Sequence, residues 1–67
     1  MPPKRLSHVI KSLRIERGLT QAQVAQKVGV TKNYITMLER GQRKNPSLDI
    51  VKKIAKVLGV PAGKLLG

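Results

Sequence analysis

The stretch Gln21–Arg40, QAQVAQKVGVTKNYITMLER, constrains this chain more tightly than any other. Two short helical patterns meet there at one glycine. Val24, Ala25 and Val28 supply the apolar positions before Gly29, and Val30, Ile35 and Leu38 supply them after it. Ala25 is small where two helices must approach closely, and Gly29 accepts the left-handed backbone that a tight turn between helices requires. Thr31 then restarts the chain as an N-cap, its side-chain oxygen available to a free amide of the next turn. The pattern predicts two helices joined by a tight turn, the second carrying basic and polar residues on the faces its apolar pair leaves open.

The flanks supply support for that unit. Thr20-Gln21-Ala22-Gln23 matches a capping box, and Leu19 can staple to Val24 just as Val30 can staple to Ile35. The second helix therefore begins at Gln21, where its free amides and partial positive charge favour an anion. Gly41 closes the third helix. Upstream, Ser7 is read as the N-cap of a first helix that ends before Gly18, with Leu6, Ile10 and Leu13 on one face. Lys11, Arg14 and Arg17 fall mostly off that face, and His8 reads as an exposed polar residue of the first turn. Downstream, Ser47 caps a fourth helix with Asp49 in its first turn, and Val51, Ile54, Ala55 and Leu58 form its apolar stripe. Lys52, Lys53 and Lys56 lie away from that stripe and read as a solvated face adding general attraction for anions. Gly59 ends the helix, and Pro61 opens a last turn in which Leu65, with Leu66, closes the core or faces a partner. No segment alternates with the period of a strand. The expectation is all-α: four helices and a short fifth turn over residues 6–67, preceded by a flexible basic arm over residues 1–5 that could also touch phosphates.

Composition removes whole classes of function. With 67 residues the chain holds one small domain. It has no cysteine, which excludes disulfides and thiolate metal sites and fits a reducing cytoplasm. One histidine and three acids (Glu16, Glu39 and Asp49) leave almost nothing from which to build a catalytic constellation or a metal cage. The expectation is no enzyme activity, no cofactor and no small-molecule ligand. No apolar run approaches the ~20 residues that span a bilayer, and MPPKRLSH lacks the apolar stretch of a signal peptide. A net charge of +11 favours polyanions, nucleic acid first. The only aromatic residue is Tyr34, too few for the stacking platforms that single-strand recognition uses.

Charge and turn together point to duplex DNA. Ile35 and Leu38 commit one face of the third helix to the core and leave Lys32, Asn33, Thr36, Met37 and Arg40 outside it. Lysine and asparagine can bond guanine and adenine edges, and the threonine and methionine methyls can meet thymine methyls. Two helices around a glycine turn, with such a second helix, read as a helix-turn-helix that lays this helix in the major groove. The loop GQRKNP after it adds two adjacent cations, Arg43 and Lys44.

The run LRIERGLTQAQVAQKVGVTKNYITMLERGQRKNP, followed by IAKVLGV, closely resembles the XRE-type (lambda-repressor-like, Cro/CI) helix-turn-helix family over roughly Leu6–Leu66. The resemblance rests on Leu19-Thr20-Gln21, Ala25, Gly29, Ile35, Leu38-Glu39, Gly41, Asn45-Pro46 and Ile54-Ala55. It implies a compact five-helix domain that binds operator DNA, commonly as a symmetric homodimer. By position it implies that Lys32, Asn33 and Met37 read bases, with Thr36 beside them. Gln21 would bond a phosphate and brace the recognition helix. Thr31, Tyr34, Arg40, Arg43 and Lys44 are assigned with it to the DNA backbone. Arg14 and Glu39 match a pair that forms a salt bridge between the first and third helices in similar phage repressors. That pairing makes physical sense, because Glu39 is the only acid of the third helix and would otherwise face phosphates alone. Lys32 and Asn33 stand where some members carry paired glutamines, and Ser47 stands where some place an arginine, so the operator cannot be copied from them.

The expected function is therefore a sequence-specific regulator of transcription, of repressor type, reading a palindromic site as a dimer. The alternative is the same fold used as an adaptor or antitoxin-like protein-interaction module. A cationic membrane-active peptide is disfavoured, since such a helix has no need of these caps and this fixed turn. The apolar residues of Val60–Leu66 are the expected dimer surface.

Overall fold

The computed structural model describes residues 4–43 and 45–66. Residues 1–3 of the expected arm, and Lys44 of the expected phosphate-facing loop, lie outside the described residues. Five helices follow in order: α1 (Lys4–Glu16), α2 (Gln21–Val28), α3 (Lys32–Glu39), α4 (Leu48–Leu58) and α5 (Ala62–Leu66). Among the described residues there is no strand, and the last turn expected after Pro61 is a short helix.

Most helix ends follow from local chemistry. Thr20, Thr31 and Ser47 each sit in extended backbone and accept an amide of the following turn, from Gln23, Tyr34 and Ile50 respectively. Gly29 and Gly59 take φ of 90° and 74° as left-handed C-caps of α2 and α4. The start of α1 corrects the sequence reading. Ser7 does not cap the helix but lies inside it, and the helix begins at Lys4. Lysine and arginine are good helix formers, and a cap at Ser7 would leave Leu6 out of the helix, whereas Leu6 packs against the core in line with Ile10 and Leu13. Ser7 itself is only 5% exposed.

The core is one cluster drawn from all five helices, with Ile10, Val24, Ile35, Leu38, Ile54 and Leu58 essentially closed to solvent and Leu65 sealing one side. Each such aliphatic side chain stabilises by about 1.5–3 kcal/mol relative to exposure. The expected staple residues Leu19 and Val30 pack on the same cluster. α3 rests on α1 and α2, while α4 rests on α2 and α5. One tie escaped the periodicity. Arg17 Nε donates to the Leu58 carbonyl at 2.9 Å, satisfying an acceptor at the end of α4 that the helix itself cannot. No described helix is long and apolar enough to cross a membrane.

Candidate nucleic-acid interface

The site is built outward from the turn. At the start of α2, Thr20 Oγ accepts from the Gln23 amide at 3.0 Å and Gln23 Oε1 accepts from the Thr20 amide at 2.8 Å. This closed box fixes Gln21 at the first position of α2. At the other end, the Gly29 and Val30 amides both donate to the Ala25 carbonyl, at 2.8 and 3.0 Å, and the chain reverses into Thr31. Thr31 Oγ then accepts from the Tyr34 amide at 3.1 Å, leaving its own O–H as a donor at the exposed start of α3.

A polar network behind α3 sets its position. Arg14 on α1 donates from Nε to Glu39 Oε2 at 2.6 Å and from Nη2 to Oε1 at 3.0 Å, a two-pronged ion pair. Its Nη1 donates to the Leu19 carbonyl at 2.8 Å. The side chains of this pair are 13% and 2% exposed. The hydrogen bond to Glu39 raises the Arg14 pKa above its usual value against the opposing effect of burial, so the guanidinium stays charged. Gln21 Nε2 donates to Glu39 Oε1 at 3.0 Å, and Gln21 Oε1 accepts from the Thr36 hydroxyl at 2.8 Å. Thus α1, the start of α2 and the C-terminal half of α3 are joined by consecutive hydrogen bonds. Glu39 faces this network and is not exposed on the surface of α3.

The expected base-reading residues share α3 but not one degree of exposure. Lys32 and Asn33 are exposed, whereas Thr36 and Met37 are half-buried. Asn33 Nδ2 lies 3.5 Å from Met37 Sδ, one turn away, a weak donor contact between neighbours. The Thr36 hydroxyl also reaches the Lys32 carbonyl at 3.1 Å. Of the residues expected at the DNA backbone, Thr31, Arg40 and Arg43 are exposed and Tyr34 and Gln21 half-buried. Arg43 is held by a contact that sequence reasoning missed: its guanidinium carbon lies 4.9 Å from the centroid of the Tyr34 ring. The only sequence hint was a lone aromatic residue a loop away from a lysine-arginine pair, and no helical period links the two positions.

Electrostatics favour an anion in front of α3. Glu16 pairs with Arg17 and Glu39 with Arg14, while Asp49 sits in the first turn of α4. Among the described residues no acid opposes Lys32, Arg40 or Arg43. Lys27, Lys53 and Lys56 line a separate open groove with Val28 and Val57, at the far end of α2 from Gln21. The structure therefore places Lys53 and Lys56 in a groove apart from Gln21.

A capped helix, a glycine turn and a second helix braced from behind define a helix-turn-helix protein. Residues 10–65 match the model of the HTH_3 helix-turn-helix family, and the chain belongs to that family. Among curated proteins it is 43% identical over 60 residues to the transcriptional repressor RstR of the cryptic phage CTXphi from Vibrio cholerae, covering 90% of this chain and 53% of that one. It is 39% identical over 57 residues to the transcriptional regulator SinR of Bacillus subtilis, covering 85% of this chain and 51% of that one. Among solved structures it superposes on SinR in complex with DNA with a TM-score of 0.88 and 35% identity, covering 92% of this chain and 98% of that one. The chain spans about half the length of these two curated relatives.

Proposed function

We propose that this chain is the sequence-specific, double-stranded DNA-binding module of a transcriptional regulator of repressor type, acting in the cytoplasm as a homodimer on a palindromic operator. The observation that carries this reading is α3: a helix exposing Lys32 and Asn33, followed by the exposed cations Arg40 at its C-cap and Arg43 in the loop, opposed by no described acid and braced from behind by the Arg14–Glu39–Gln21–Thr36 network. The likeness to SinR, solved bound to DNA, supports it. In this reading α3 enters the major groove. Lys32 and Asn33 bond base edges, and the methyls of Thr36 and Met37 contact thymine. Gln21, through its second Nε2 hydrogen, Thr31, Tyr34, Arg40, Arg43 and Lys44 hold the phosphates on either side.

Selection from a pool of random duplexes tests the proposal as a whole. An enriched palindrome would return the motif, its symmetry and the half-site spacing together. No enrichment over the starting pool would sink sequence-specific reading and favour use of the fold as an adaptor. On the enriched site, about six phosphates neutralised per bound unit would make log K fall with log salt at a slope near −5.

A further inference from the structure

We infer that Thr36 is a positioning residue for Gln21, and that its hydroxyl proton is committed to that residue and not to a base; this rests on the DNA-binding reading above. The chemistry of the network fixes every proton in it. Both Glu39 oxygens already accept from Arg14, at 2.6 and 3.0 Å, so the Gln21 end that meets Oε1 at 3.0 Å is the donating amide nitrogen. The other end of Gln21 is then the carbonyl oxygen, which can only accept. The Thr36 hydroxyl 2.8 Å away must therefore donate to it. A hydroxyl has one proton. Its remaining short contact, the Lys32 carbonyl at 3.1 Å, is a second acceptor competing for that proton. Nothing is left with which Thr36 could donate to guanine N7 or O6, or to thymine O4.

The consequence for Gln21 is the larger one. Its carboxamide is pinned at both ends, by Glu39 and by Thr36, so its one free N–H points in a set direction from the start of α2. Thr36 thus sits on the reading helix yet acts on affinity through a residue assigned to the phosphate backbone. Its methyl remains available to the groove and distinguishes thymine by the C5 methyl.

The experiment uses the full chain and the duplex enriched by random selection, with binding read by fluorescence anisotropy. Thr36→Val keeps the shape and the methyl but removes the donor. It should weaken binding by about 3–10-fold, the range of one lost hydrogen bond. The loss should be equal on the operator, on each of its single-base variants and on random duplex. Combined with Gln21→Ala, it should add no further loss, because both changes remove the same pinned N–H. Thr36→Ser keeps the donor and removes the methyl. It should lose the parent's roughly 4-fold penalty when one operator thymine is replaced by deoxyuridine, the value of a buried methyl. A Thr36→Val variant with changed preference at one base pair and unchanged affinity for random duplex would overturn the inference, as would additive losses in the double variant. If the parent chain enriches no duplex, the DNA-binding reading falls and takes this inference with it. If an operator is found but Thr36 and Gln21 prove uncoupled, only the inference falls.

Discussion

Glu39→Gln is the most revealing single change, because it alters charge with almost no change of shape. In the parent chain the Glu39 carboxylate accepts three hydrogen bonds, two from Arg14 at 2.6 and 3.0 Å and one from Gln21 at 3.0 Å. Glutamine offers one oxygen and one NH2 group in that space. Whichever way the amide turns, a donor of α3 then faces a donor of Arg14 or of Gln21. A buried ion pair broken on one side costs about 3–5 kcal/mol, and an exposed pair is worth roughly 0–1 kcal/mol. The Glu39 side chain is 2% exposed, but that of Arg14 is 13% exposed and keeps its bond to the Leu19 carbonyl, which places the expected loss between the two ranges and just below the buried one, at about 2–3 kcal/mol. A chain of 67 residues has a total stability of only about 3–10 kcal/mol. The midpoint of thermal unfolding should fall on the order of 10–20 °C. Far-UV circular dichroism during heating and in urea measures both quantities. A loss below about 0.5 kcal/mol would refute the reasoning, since it would place the pair among solvated surface pairs. Replacing Arg14 and Glu39 together with methionine should recover part of the loss, because no charge is then left buried without its partner.

Three further outcomes follow from the same geometry. Asn33→Ala should cost about 1–3 kcal/mol on the selected operator and little on random duplex, measured by competition binding; equal losses on both would remove Asn33 from the base readers. Arg43→Ala should weaken binding to all sequences similarly and reduce the slope of log K against log salt by about one, and a sequence-dependent loss would contradict a phosphate role. Gly29→Ala meets no atom within 4 Å of the added carbon, so its cost is the left-handed backbone alone. At φ of 90° that cost is about 1–2 kcal/mol of stability in urea unfolding, and an unchanged midpoint would show that the turn relaxes.

What the sequence made legible is what neighbours along the chain determine. Thr20, Gln23, Gly29, Thr31, Ser47 and Gly59 act within one turn of their own positions, and their cap and turn geometry is as the residue types require. The apolar spacing likewise identified the core from Ile10 to Leu65. Ser7 failed because its capping preference, worth about 1 kcal/mol, is outweighed by continuing the helix back to Lys4, which packs Leu6 on the core. The Arg17–Leu58 bond, the Arg43–Tyr34 contact and the Thr36–Gln21 bond were illegible for a different reason. Each joins a side chain to a group in another segment of the chain, and neither a helical period nor a propensity encodes that separation.

The division between local and tertiary effects also assigns roles along α3. The Thr31 side chain caps its N-terminal end by accepting from the Tyr34 amide, and the Gly29 turn ties that end to the Ala25 carbonyl of α2. Its C-terminal half is held by α1 through Glu39 and by the start of α2 through Thr36. A helix gripped at both ends from behind cannot roll to present a different face. Lys32 and Asn33, exposed and uninvolved in that grip except for the weak Asn33–Met37 contact, are then free to change without disturbing the fold. Glu39, Gln21 and Thr36 are not, since each supports the helix that carries the others. In the DNA-binding reading proposed above, new base preferences would arise at Lys32 and Asn33, and overall affinity would be set from the network behind them.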